Sequence, residues 1–136
     1  MQPESRSLVA EFAATFFFVF MGAGVICTDQ LTGGKALGLL GIAIAHGLAL
    51  SIAVTSTMRV SGGHLNPAVT VALWSIGKIR APLAIGYIVA QLLGSLLAAF
   101  LLASVFDSSV WQAVHLGTPA LGSGVSTGLG SVSRSC

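Results

Sequence analysis

Ser61-Gly62-Gly63-His64-Leu65-Asn66-Pro67-Ala68-Val69-Thr70 is the stretch that decides the fold, and it lies between two long apolar runs. Asparagine caps helices because its side-chain oxygen accepts from the first free backbone N–H groups. Proline suits the first helical turn, where its missing N–H costs nothing. Asn66-Pro67 therefore reads as a helix start, with Asn66 as N-cap and Pro67 at the first helical position. The apolar run behind it ends at Gly77, which predicts a helix over 67–76. At ~1.5 Å per residue such a helix is roughly 15 Å long. That is half of a ~30 Å hydrocarbon core, so it cannot cross a bilayer. In a water-soluble protein it would be an ordinary short capped helix.

The composition argues against that setting. The 136 residues are 54% hydrophobic and 7% charged, with a mean hydropathy of +0.93. Soluble domains carry roughly 25% charged residues. The net charge of +2 is small and its basic residues are scattered, so nucleic acid is not an expected partner. Cys27 and Cys136 offer neither zinc spacing nor a disulfide framework, and no function is assigned to them. Catalysis is not expected either. There is no metal-ligand cluster such as His-Glu-x-x-His, and Gly22 and Gly24 lack the third glycine of a dinucleotide loop. No cofactor and no metal are implied.

Working outward, residues 8–27 form an apolar run interrupted only by Glu11. A signal peptide is the rival reading, but signal h-regions are usually about 7–15 residues and lack an acid near their start. A transmembrane helix fits better. Glu11 is either an interfacial acid reaching water or, as an acid inside a span, a functional candidate. Residues 36–57 make the second span, with His46 as its one ionisable group. Residues 83–106 make the third, without a charge and with Gln91 as its one strongly polar residue. A lone Gln of this kind commonly joins helices. Gly41, Ala45, Ala49 and Ala53, and again Gly86, Ala90, Gly94 and Ala98, recur at four-residue spacing. Such small faces let membrane helices approach closely, and they are expected to seek partner helices.

Irregular backbone at membrane depth survives only where protein buries it or where it lines a watery cavity. The expected fold is therefore all-α and membrane-embedded, with three transmembrane helices and one re-entrant half-helix. Re-entrance puts Arg6, Arg59, Lys78 and Arg80 on one side and Lys35 alone on the other. The positive-inside rule then makes the N-terminus cytoplasmic in a multi-pass protein.

The ten-residue block resembles the major intrinsic protein family, the aquaporins and their relatives. Their hallmark is an Asn-Pro-Ala box preceded by Ser-Gly-x-His and followed by Val-Thr or similar. The resemblance covers about residues 6–128 and corresponds to one inverted-repeat half of an aquaporin-like fold. It implies a channel for passive permeation of water and small neutral solutes such as ammonia or glycerol-like molecules. It also implies that Glu11, in an Ala-Glu-Phe setting, holds pore-loop backbone in place, with Gln91 as a second structural support. His46, 20 residues before Asn66, matches the family's selectivity-filter site on the second span. Strict water channels commonly place phenylalanine there, whereas histidine is similar to the plant tonoplast type and some bacterial relatives. The alternative for His46 is a packed polar residue with a satisfied neighbour.

In aquaporin-type pores selectivity comes from diameter, lining hydrogen-bond groups and electrostatic barriers. On that logic Asn66 offers an amide donor to solute, beside Pro67 and Ala68 at the positive end of the half-helix. Carbonyls of Gly62, Gly63 and His64 form a ladder of acceptors leading to it, and the His64 side chain braces the loop. Beyond Asp107 the chain becomes Gly-, Ser- and Thr-rich and resembles the extracytoplasmic loop between the family's two halves. Residues 129–136, with Arg134, match nothing in the family, and a second Asn-Pro-Ala box is absent from these 136 residues. Two readings follow: a channel half completed by another copy or by other channel subunits, or a non-conducting truncated form or assembly partner of full-length channels.

Overall fold

The computed structural model describes residues 3–118. The tail at 129–136, with Arg134 and Cys136, lies outside the described residues, as does the Gly/Ser/Thr-rich stretch beyond residue 118. Five α-helices follow one another: α1 (Pro3–Leu31), α2 (Gly38–Thr57), α3 (Pro67–Ser75), α4 (Ala81–Val105) and α5 (Ser108–Ala113), with a short 3-10 turn at His115–Gly117. No strand occurs among the described residues. α1, α2 and α4 are long and apolar enough to cross a membrane, whereas α3 has nine residues and is not.

α2 ends at Thr57 and α3 starts at Pro67, as expected, but the end of α1 and the start of α2 depart from the apolar runs, because polar chemistry sets them. α1 begins at Pro3 and runs on to Leu31, beyond the 8–27 run. It stops where Gly33 and Gly34 take positive φ of 66° and 76°, with Gly34 N–H donating to the Asp29 carbonyl at 2.9 Å. α2 starts at Gly38, two residues later than its apolar run. The buried Asp29 Oδ1 accepts from Leu37 N–H at 2.8 Å and Gly38 N–H at 3.2 Å, so the last turn of α1 caps α2. Residues 107–118 hold α5 and the 3-10 turn where only loop was expected. The Asp107 carbonyl accepts from Val110 and Trp111 N–H at 2.9 and 3.3 Å, which starts a helical turn without any apolar periodicity.

α1 lies in the middle, packed against α4 on one flank and α2 on another, and α2 and α4 do not touch each other. The small-residue faces find their partner here, in the same chain. Ala49 and Ala53 of α2 are buried, as are Ala84, Ala90, Gly94 and Ala98 of α4. A Cβ at Gly94 would lie 2.5 Å from the Phe12 carbonyl oxygen, so only glycine permits this approach of α4 to α1. The partner helix that these faces were expected to seek is thus α1 of the same chain for the buried residues, while Gly41, Ala45 and Gly86 stay half-buried. The outer faces stay apolar and uncovered, with Leu39, Leu40, Ile85, Leu96 and Phe100 all at least 60% exposed. Such faces belong in lipid or against other protein, not in water.

Candidate functional site

The loop before α3 is held by a carboxylate reaching up from α1. Glu11 is fully buried, which removes the interfacial alternative. Its Oε1 accepts from Ser61 Oγ at 2.5 Å and His64 N–H at 3.0 Å, and its Oε2 from Leu65 N–H at 2.7 Å and Gln91 Nε2 at 2.8 Å. Four donors occupy about the four acceptor sites that a carboxylate presents. Gln91, on α4, also donates to Thr70 Oγ1 at 3.1 Å, joining α1, α3 and α4 through one amide. Gln91 and Thr70 are 1% and 0% exposed, so these bonds run in a dry interior where an unpaired partner is costly.

Two further side chains fix the loop's ends. Tyr87 donates its phenol O–H to the Ser61 carbonyl at 2.9 Å, and Thr15 donates to the Leu65 carbonyl at 3.2 Å. Leu65 has a positive φ of 53°, uncommon for a residue with a side chain. Both of its peptide groups are held from α1, the N–H by Glu11 and the C=O by Thr15. That double hold over-determines the strained turn. Neither Thr15 nor Tyr87 was singled out from the sequence. Thr15 could have been, because it lies four residues after Glu11 and so on the same face of the helix.

Between these fixed ends the backbone is open. Carbonyls of Gly62, Gly63 and His64 accept no hydrogen bond from any described residue, while those of Ser61, Leu65 and Asn66 all do. Gly62 and Gly63 reach this shape at φ of 92° and 64°. Asn66 caps α3, its Oδ1 accepting from Ala68 N–H at 2.8 Å, with Pro67 in the first turn. Its Nδ2 donates to no described group, and Asn66 and Ala68 are exposed.

His64 and His46 differ in setting. His64 Nδ1 lies 3.0 Å from Thr70 Oγ1, and its ring stands edge-on to Tyr87 with centroids 5.1 Å apart. His46 Nδ1 lies 2.9 Å from the Ile42 carbonyl, which can only accept, so this nitrogen carries the proton. The Nε2 of each ring has no hydrogen-bond partner among the described residues. No buried side-chain nitrogen or oxygen among the described residues lacks one, so both Nε2 atoms reach the surface. The structure thus joins Glu11, Gln91, Gly62, Gly63, His64, Asn66, Pro67 and Ala68 in one connected unit. His46 stands apart from that unit on α2.

These features are those of the family named above, and the family model for major intrinsic proteins matches residues 2–133. The chain belongs to the major intrinsic protein family. It is 45% identical to aquaporin TIP4-4 of Zea mays over 126 residues, which cover 88% of this chain and 48% of that protein. It is 52% identical to aquaporin TIP2-3 of Zea mays over 101 residues, covering 71% and 41%. Against the probable aquaporin TIP-type alpha of Phaseolus vulgaris it is 42% identical over 127 residues, covering 90% and 49%. The chain spans about half the length of the relatives it matches.

Proposed function

We propose that this chain supplies one wall of a channel, not an enzyme, for passive passage of water and small neutral solutes. The row of three unpartnered carbonyls at Gly62, Gly63 and His64 carries the reading. His64 is buried and Gly63 half-buried, where backbone carbonyls are nearly always paired, so a run of open ones leading in from the exposed Gly62 asks for water or solute. Asn66 Nδ2 continues the row as a donor at the N-terminus of α3, where roughly half a positive charge disfavours cations but leaves neutral molecules alone. Glu11 and Gln91 support the loop, His64 braces it through Nδ1, and His46 lines a constriction with its free Nε2. In this reading residues 6–128 form the channel-like unit. Arg6, Arg59, Lys78 and Arg80 face the cytoplasm together with the N-terminus. The ion pair of Arg80 with Glu4 at 2.7 Å supports a common side for the starts of α1 and α4.

A second reading, assembly with other channel subunits or with another copy, is favoured by the exposed Val69, Val71 and Trp74 on α3. These apolar side chains need protein or lipid over them. The test of the first reading joins this chain to the second half of aquaporin TIP4-4 and measures osmotic shrinkage of liposomes carrying the fusion. Water flow is expected, and His46→Phe is expected to reduce urea passage more than water passage. A fusion that inserts but does not conduct would overturn the channel reading. Equal loss for both solutes would give His46 a packing role.

A further inference from the structure

We propose that Gly22 on α1 is the seat of His46 and so fixes how far the imidazole projects, making residue 22 a specificity-determining position that has no side chain of its own. The inference rests on the reading of His46 as a pore-lining residue. A Cβ at Gly22 would lie 2.8 Å from His46 Nε2 and 3.0 Å from its Cδ2. The first is closer than real Cβ atoms stand to a ring edge, and the second is at the tight limit of such contacts. The ring is already held on two other sides: Nδ1–H donates to the Ile42 carbonyl at 2.9 Å, and Phe18 stands edge-on with centroids 6.4 Å apart. Phe18 and Gly22 are one helical turn apart on α1, so together they form a ledge and a gap beside it. The imidazole occupies the gap. A methyl group at 22 closes it, and the ring must then leave the Ile42 carbonyl and swing away from α1. In the pore-lining reading of His46, the side away from α1 is the conduit, so the displaced ring narrows it. Gly47, beside His46 in sequence, makes the contrast, since a Cβ there would meet nothing within 4 Å. The small residue is required at 22, and the helix backbone there is ordinary, so Gly22→Ala tests sterics alone.

The experiment uses the full chain in lipid nanodiscs and follows diethylpyrocarbonate modification of His46 and His64 by mass spectrometry. Gly22→Ala is expected to raise the His46 rate severalfold and leave His64 unchanged, and Gly47→Ala is expected to change neither. An unchanged His46 rate in a folded Gly22→Ala chain overturns the seat. Should the variant unfold, both histidines react alike, and adding His46→Ala decides. Recovery of the fold then supports a clash with the imidazole, and continued unfolding overturns it. In the fusion channel Gly22→Ala is expected to lower urea passage relative to water, with Gly47→Ala as the control. Unaltered selectivity there, with His46 displaced, overturns the specificity role. His46→Phe acting equally on all solutes would remove the pore-lining reading and still leave the reactivity result to judge the seat.

Discussion

Glu11 takes two backbone N–H groups, one amide and one hydroxyl onto two oxygens. Glutamine has one acceptor oxygen and an NH2 group that cannot accept. Glu11→Gln is therefore expected to leave at least one buried N–H of His64 or Leu65 unpaired, at about 1–3 kcal/mol. Thermal unfolding in nanodiscs checks this, and an unchanged midpoint would mean the loop holds itself. Asn66 separates folding from permeation. Aspartate caps a helix about as well as asparagine, so Asn66→Asp is expected to keep the stability of the chain. It removes the Nδ2 donors, and water flow through the fusion channel is expected to fall. Equal flow would show that the Asn66 donor is dispensable. The cap was legible in the sequence because Asn-Pro chemistry is local. Glu11 came from resemblance. Tyr87 and Gly22 were not legible, since each acts on a group 20 or more residues away whose backbone course no spacing rule gives, and of Thr15 only its place on the Glu11 face was readable.

The spanning helices were readable from the length of their apolar runs, and so was the end of α2 at Thr57, but the end of α1 and the start of α2 were not. At that junction polar groups that share no period with the apolar pattern decide where one helix stops and the next starts. Asp29 is the clearest case, ending α1 through its carbonyl and starting α2 through its side chain. Asp29→Ala is expected to cost about 0.5–2 kcal/mol, as other lost caps do. Hydrogen exchange at Leu37 and Gly38 would rise with it, while exchange near Glu11 would stay as it is. Uniform loosening of both regions would contradict a local cap. The turn after α5 was beyond any sequence rule. His115 and Leu116 both adopt positive φ, near 50°, and Gly117 follows at 74° against Ala23 and Ile26 of α1. Packing onto α1 is what holds two side-chain-bearing residues in that conformation.

In the molecule as a whole, α1 is covered by α2 and α4, whereas no described element packs over the face carrying Asn66, Ala68 and Val69. Liposomes holding only the monomeric 136-residue chain are therefore expected to show no rapid, low-activation-energy water flow. Such flow from a demonstrated monomer would refute the one-wall reading. Arg59 and Lys78 flank the loop and α3, and both are exposed. Cysteines placed there, in a Cys136→Ser background, are expected to label from the same side of the membrane. Labelling from opposite sides would rule out re-entrance. The central position of α1 also has a consequence for how the protein is made. The partners of Glu11 lie 50 to 80 residues further along the chain. While the ribosome is still short of Ser61, the first apolar helix carries an acid for which no donor has yet been synthesised. An acid in a span is costly, so the nascent helix is a poor anchor at that stage. Its commitment to the bilayer waits for the loop and then for Gln91, and truncated nascent chains ending before and after those residues would differ in how firmly α1 resists extraction.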